Sequence, residues 1–129
     1  MRRLLGGAVA ACTLVLLSTL IAEAVTFAGT WAVSGRLGAT GSVSPVCVFR
    51  QSGIALSGTC KGPNGIGSAL GAVRGAAIEW QWHVTRTDPQ GYSGIVTFRG
   101  TLGADGVIRG SWVFAGATGV GEFTAQRVR

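Results

Sequence analysis

The chain has 129 residues, of which 22 are glycine and 12% are charged, and its 11 basic and 5 acidic residues give a net charge of +6. This length suits a single domain. Acid–base catalysis requires titratable groups held close together, whereas Glu79 and His83 lie about 13 Å apart along one extended strand. Asp88 and Asp105 fall in predicted turns. We therefore predict that the protein is not an enzyme.

The first 24 residues have the pattern of a secretory signal. Two arginines precede an uncharged, mostly apolar run over residues 4–22. The run ends in Ala22-Glu23-Ala24, which is typical of cleavage before Val25. An uncleaved membrane anchor is the alternative, because a run of this length approaches that of a membrane-spanning helix. We predict a signal peptide over 1–24 and one exported domain over 25–129, periplasmic or extracellular, without membrane association after cleavage.

The predicted mature domain retains two cysteines, Cys47 and Cys60. An even pair in a small exported domain predicts a disulfide. A redox or metal-binding pair is the alternative, but the spacing is not Cys-x-x-Cys, and His83 is the only histidine that could act as a further ligand. We therefore expect a structural disulfide and neither a metal nor another cofactor.

The domain after residue 25 alternates apolar and polar residues with a period of two between glycine-rich turns, which indicates β-strands. Loops 36–45 and 61–67 are longer, since proline and glycine oppose a continuous ladder there. The eight predicted strands cover residues 26–35, 46–51, 54–61, 68–74, 76–86, 92–102, 107–115 and 120–128.

Turn chemistry and side-chain parity predict how these strands pair. A three-residue loop, Ala104-Asp105-Gly106, with Gly106 in the left-handed conformation, forms a type I turn with a bulge. A Gly53-Ile54 turn would place Cys47 opposite Cys60, and residues 87–91 would form the loop of the next hairpin. The predicted pairs are Leu102 with Ile108, Gly100 with Gly110, Phe98 with Trp112, Val96 with Phe114, Trp80 with Phe98, and Trp82 with Val96.

Eight sequential strands with one apolar face must either close on themselves or form two stacked sheets. Closure is the simpler arrangement, so we predict an all-β, antiparallel, eight-stranded up-and-down barrel; a β-sandwich is the alternative. The interior of such a barrel is either filled or holds one small ligand. Glycines at inward positions leave room there for the indole rings: Gly29, Gly58, Gly94, Gly100 and Gly110.

Gly29-Thr30-Trp31 on the first strand and Arg127 on the last resemble the calycin superfamily, which includes lipocalins and avidins. The resemblance implies a small exported bacterial barrel in which Trp31 plugs one end. It also implies that Arg127 covers the Trp31 ring in a cation–π contact. Avidins carry polar, biotin-holding side chains shortly after this tryptophan, and Val33 and Leu37 are apolar instead, so the resemblance concerns the fold and not biotin binding.

Two functions are compatible with these features. The first is a binding protein for a small apolar or planar ligand, held inside a barrel whose open end is covered by loops 36–45, 61–67 and 87–91. The second is a protein-interaction or inhibitor module with a filled core and functional surface loops such as 61–67. The candidate ligand-binding residues of the first are aromatic: Trp31, Trp80, Trp82, Phe98, Trp112 and Phe114.

Basic residues on the outward face raise the question of nucleic acid. Arg50, Arg99 and Arg109 point outward, and such a stripe attracts phosphates. The aromatic residues that would stack on bases point inward, however, and solvated arginines also keep a sheet soluble. We therefore predict no nucleic-acid partner.

Overall fold

The computed structural model describes residues 25–38 and 41–129, so the predicted signal peptide over 1–24 lies outside the described residues. Nine strands and no helix occur in the described part. No helix there could cross a membrane. The strands are β1 (Gly29–Leu37), β2 (Gly41–Val43), β3 (Val46–Ser52), β4 (Ala55–Gly62), β5 (Gly65–Arg74), β6 (Ala77–Arg86), β7 (Gly94–Leu102), β8 (Ile108–Phe114) and β9 (Gly121–Arg127).

Each strand from β3 to β8 pairs antiparallel with the next strand in the chain. β1 pairs with β3 on one side and with β9 on the other. In this last pairing Trp31 lies opposite Arg127 and Arg36 lies opposite Glu122. Eight strands therefore close into a barrel with no free edge between the first and the last strand. The all-β, eight-stranded meander predicted from the alternation is confirmed.

The two long loops are shorter than predicted. β2 lies within the predicted loop 36–45 and pairs with β1 in the same register as β3, since Gly35 pairs with Val43 and Ala32 with Val46. It is a short ninth strand at the rim of the barrel. The predicted loop 61–67 is mostly strand, because β4 runs to Gly62 and β5 begins at Gly65. Pro63 fits there because it occupies the tight turn, where its missing N–H interrupts no β4–β5 hydrogen bond.

The predicted strand pairings are confirmed. Cys47 lies opposite Cys60, and the two form a disulfide. The hairpin between β7 and β8 has the predicted turn, in which the Gly106 N–H donates to the Gly103 carbonyl at 3.0 Å and Gly106 has a φ of 82°. The structure also contains the remaining predicted pairs, which are Leu102–Ile108, Gly100–Gly110, Phe98–Trp112, Val96–Phe114, Trp80–Phe98 and Trp82–Val96.

Aromatic side chains fill the middle of the barrel. Trp80 stacks on Phe98 with the ring centroids 4.6 Å apart and the planes 15° apart. The rings of Phe49 and Phe123 meet Trp80 edge-on, at centroid distances of 5.2 Å and 5.6 Å. All four side chains are buried. Offset-stacked and edge-on arrangements are those that aromatic rings prefer, so this cluster occupies the interior at mid-height.

The end of the barrel at which β1 starts is closed by Trp31. The indole N–H of Trp31 donates to the Phe27 carbonyl at 2.9 Å, and the Arg127 guanidinium lies 4.4 Å from the centre of the ring. Arg127 also donates hydrogen bonds to the carbonyls of Ala28 and Thr26. Gly29 leaves space for this guanidinium, because a Cβ at that position would lie 2.8 Å from it. We call this the closed end.

The disulfide should contribute measurably to stability. Replacing both Cys47 and Cys60 with alanine removes the cross-link from the unfolded chain, so we expect the free energy of unfolding to fall by roughly 3 kcal/mol. Urea titration followed by tryptophan fluorescence measures this loss. The wild-type domain under reducing conditions is the matched control and should unfold at the same lower midpoint. Equal midpoints for the oxidised wild type and the double variant would contradict the expectation.

The Asp105 carboxyl should titrate below its usual range. Its hydrogen bond from Arg109 lowers the pKa of Asp105 from 3.8 to about 2. A lowered folded-state pKa gives a contribution to stability that is present above the unfolded pKa and is lost as pH falls through the folded value. Carboxyl NMR titration should give a midpoint of about 2 in the wild type and a higher one in Arg109→Ala. A midpoint near 3.8 in the native wild type would show that the contact does not form.

Candidate functional site

A cavity of about 190 Å³ opens at the end of the barrel opposite Trp31. We call it the mouth cavity. Its walls come from residues 42–44, 62–65 and 90–92, and Trp82 and Val84 of β6 complete it from the barrel interior. The three wall segments are the end of β2 with the following Ser44, the β4–β5 turn with the glycine on either side of it, and part of the β6–β7 connection. Each lies in or beside one of the three regions predicted to cover the open end.

The cavity exists because the β3–β4 ladder ends at Lys61. Val46 pairs with Lys61, and the same register continued by two residues would place Ser44 opposite Pro63. Proline has no N–H to donate, and the chain turns at Pro63 to enter β5. β2 therefore pairs with β1 alone, and a gap opens between β2 and the β4–β5 turn.

Two walls of the cavity, the β4–β5 turn and the β6–β7 connection, are hydrogen-bonded to each other. The Thr87 N–H donates to the Asn64 carbonyl at 3.0 Å. The Asn64 amide, oriented with its nitrogen toward Asp88, donates to Asp88 Oδ2 at 2.8 Å. Gly91 lies so close to Asn64 that a Cβ there would collide with the Asn64 carbonyl oxygen. These contacts hold the β6–β7 connection against the β4–β5 turn, so the wall is formed without a ligand.

Trp82 and Tyr92 supply the aromatic surface of the cavity. Trp82 is 3% exposed, and a Cβ at Gly62 would lie 3.2 Å from its ring. The Trp82 indole N–H is buried without a hydrogen-bond partner in the described part of the chain. The Tyr92 ring meets Phe114 edge-on at 4.5 Å, and burial raises the pKa of the Tyr92 hydroxyl.

The six aromatic residues predicted to bind a ligand occupy different levels of the barrel. Trp82 lines the mouth cavity. Phe114 packs against the ring of Tyr92, which lines the cavity. Trp80 and Phe98 belong to the filled centre, and Trp31 lies at the closed end. The Trp112 ring packs in the space that glycines leave on β1 and β9, since a Cβ on Gly35 would lie 2.7 Å from its indole nitrogen.

Polar residues of the mouth cavity are absent from that predicted set. Ser42, Ser44, Asn64 and Gln90 line it from the predicted loops 36–45, 61–67 and 87–91, and Tyr92 lines it from the first residue of the predicted strand 92–102. The three segments that line the cavity fall in or beside the loops predicted to cover the open end. For the four loop residues alternation gives no direction, because it identifies inward residues only within strands. Tyr92 shares the inward parity of Val96 and Phe98 in the predicted strand, and that parity is the signal that could identify it.

The outward arginines are partly neutralised. Arg99 lies 3.1 Å from the Glu79 carboxylate, and Arg109 lies 2.8 Å from Asp105. Arg50 is exposed on β3. Exposed ion pairs of this kind contribute little to stability, and they lower the positive potential that a phosphate would meet. In the part of the chain that the structure describes, no cluster of His, Cys, Asp and Glu side chains could hold a metal ion.

No protein-family profile matches this sequence, and no curated protein matches it.

Tyr92 reports directly on this cavity, because it is the only tyrosine of the chain. Burial disfavours the charged phenolate, so we expect the pKa of Tyr92 to lie above its ordinary value of 10.0. Absorbance at the phenolate band during an alkaline titration measures it without interference from other tyrosines. The urea-unfolded protein is the control and should titrate at the ordinary value. A native midpoint at or below the unfolded one would exclude the buried placement of this ring.

Proposed function

We propose that the chain is an exported binding protein of calycin type that holds one small planar ligand in the mouth cavity. The observation that carries this proposal is the preformed cavity of about 190 Å³ with buried Trp82 on its inner side. Ligand sites in proteins are typically concave, largely preformed and lined by aromatic residues with a few polar groups. The mouth of a small barrel is a common place for them.

The size of the cavity limits the ligand. Engineered cavities of about 150 Å³ accept benzene, whereas sites for drug-sized molecules start at about 300 Å³. A volume of about 190 Å³ therefore suits one or two fused rings. A planar ring can stack on the Trp82 indole, and such contacts add about 0.5–1.5 kcal/mol beyond the burial of area.

Two further features support export and calycin type. The Cys47–Cys60 disulfide is compatible with an oxidising compartment outside the cytoplasm. The closed meander with Arg127 over Trp31 is compatible with the calycin arrangement that Gly29-Thr30-Trp31 resembles. We propose that residues 1–24 direct this export and are removed.

A protein-interaction module is the second candidate, and the filled centre of the barrel favours it. The cluster around Trp80 leaves no room for a ligand at mid-height, so activity would lie in surface turns. Ile54, in the β3–β4 turn, is 66% exposed and would be a contact residue. Binding of a small molecule at the mouth distinguishes the two candidates.

Ligand binding at the mouth should depend on Trp82. We expect a panel of neutral one- and two-ring compounds to include members that quench tryptophan fluorescence and raise Tm by several degrees at saturation, because a ligand specific for the native state stabilises it. Trp82→Phe should weaken binding by about tenfold through loss of stacking area. Trp112→Phe is the matched control and should bind within about twofold of the wild type.

Failure of every compound in the panel to change either Tm or fluorescence would remove the support for a small-molecule site. An equal loss in the Trp82 and Trp112 variants would place binding elsewhere. The first result would favour the protein-interaction module, and the second would contradict the placement of the ligand at the mouth.

A further inference from the structure

We infer that the mouth cavity selects neutral cyclic amides, whose N–H and C=O pair with the unpaired main-chain edge of β2 and of Ser44, the residue that follows it. This inference depends on the proposed function, since it specifies the ligand class of the same site. The main chain of Ser42, within β2, and of Ser44, directly after it, forms this edge, and both residues line the cavity beside Pro63.

The direction of these main-chain groups follows from the register. The Val33 N–H donates to the Pro45 carbonyl at 2.9 Å, so Pro45 directs its carbonyl toward β1. Main-chain groups of successive residues point to opposite sides of a strand. Val43, two residues earlier, therefore also directs its groups toward β1, whereas Ser42 and Ser44 direct theirs away from β1 and toward the gap.

On that side β2 has no ladder partner among the described residues. β2 pairs only with β1, and the main-chain hydrogen bonds described outside the strand ladders do not involve Ser42 or Ser44. The residue that would face Ser44 is Pro63, which cannot donate. The Pro63 carbonyl is near the Asn64 amide, which can donate to it at 3.1 Å. The edge of β2 is therefore open toward the cavity.

An edge residue in an extended strand presents its N–H and C=O side by side on the same side of the chain. A secondary amide that is held cis within a ring also presents its N–H and C=O side by side. Its C=O can accept from the edge N–H while its N–H donates to the edge C=O. Such a ligand can exchange two hydrogen bonds with Ser42 or Ser44 as a neighbouring strand would. Its ring can at the same time contact Trp82, which completes the cavity from the interior.

The same geometry lowers the expected affinity of ligands that are not amides. A hydrocarbon of equal size would displace water from the edge without replacing its hydrogen bonds, and unpaired buried polar groups are costly. A charged ligand would meet no counter-charge, since the described residues that line the cavity are all uncharged. Sites that hydrogen-bond a ligand discriminate strongly against analogues that lack the bonding group.

Four probes of similar size test this inference by fluorescence titration of the full domain. Carbostyril is a planar bicyclic lactam, N-methylcarbostyril lacks its N–H, naphthalene lacks both amide groups, and naphthoate carries a negative charge. We expect carbostyril to bind at least about tenfold more tightly than each of the other three.

A main-chain substitution tests the edge itself. Ser42→Pro removes the N–H that points into the gap, and it leaves the pairing with β1 intact because Ser42 donates nothing toward β1. We expect the preference for carbostyril over naphthalene to fall to about twofold in this variant, because carbostyril loses a hydrogen bond that naphthalene does not make. Ser42→Ala keeps the main chain and should keep the preference. Far-UV circular dichroism and the Tm of each variant establish that it is folded.

Naphthalene or N-methylcarbostyril binding as tightly as carbostyril would overturn this inference while leaving a small-molecule site in place. An unchanged preference in a folded Ser42→Pro variant would also overturn it. If none of the four probes binds, the proposed function fails together with the inference.

Discussion

The rings packed around Trp80 determine where this barrel can hold anything else. Trp80 and Phe98 lie face to face, and Phe49 and Phe123 close around them edge-on. Four large side chains at one level require strands that coil tightly, and Gly110 permits this coiling where a Cβ would collide with the Arg99 carbonyl. Because protein interiors pack to high density, a barrel filled in this way at mid-height keeps space for a ligand only near its rim.

The sequence predicts the strand order and most of the register because both depend on local signals. The turn at Gly106 and the alternation on either side of it determine which residue faces which, and a shift by one residue would reverse every side chain of the strand. The cysteines add an independent constraint, since a disulfide between Cys47 and Cys60 requires adjacent positions. Each of these inferences needs only residues close in the chain, or one pair brought together by a single turn.

The site was less predictable, for two physical reasons. Alternation with a period of two shows that Trp31, Trp80 and Trp82 all point inward, but it does not give their height along the barrel axis, which depends on the stagger of the closed sheet. The gap beside β2 depends on Pro63 lying opposite Ser44, a relation between the main chains of distant residues. No property of either side chain alone indicates it.

The closed end has a practical consequence for handling this protein. The backbone enters β1 beside Trp31 and leaves β9 at Arg127, and the Val128 N–H donates to the Thr30 carbonyl at 2.8 Å. Both ends of the barrel segment thus emerge side by side, on the face away from the mouth cavity. A fusion partner, surface linker or fluorescent label that follows β9 would project away from the entrance, and a short bridge between the start of β1 and the end of β9 would suit circular permutation.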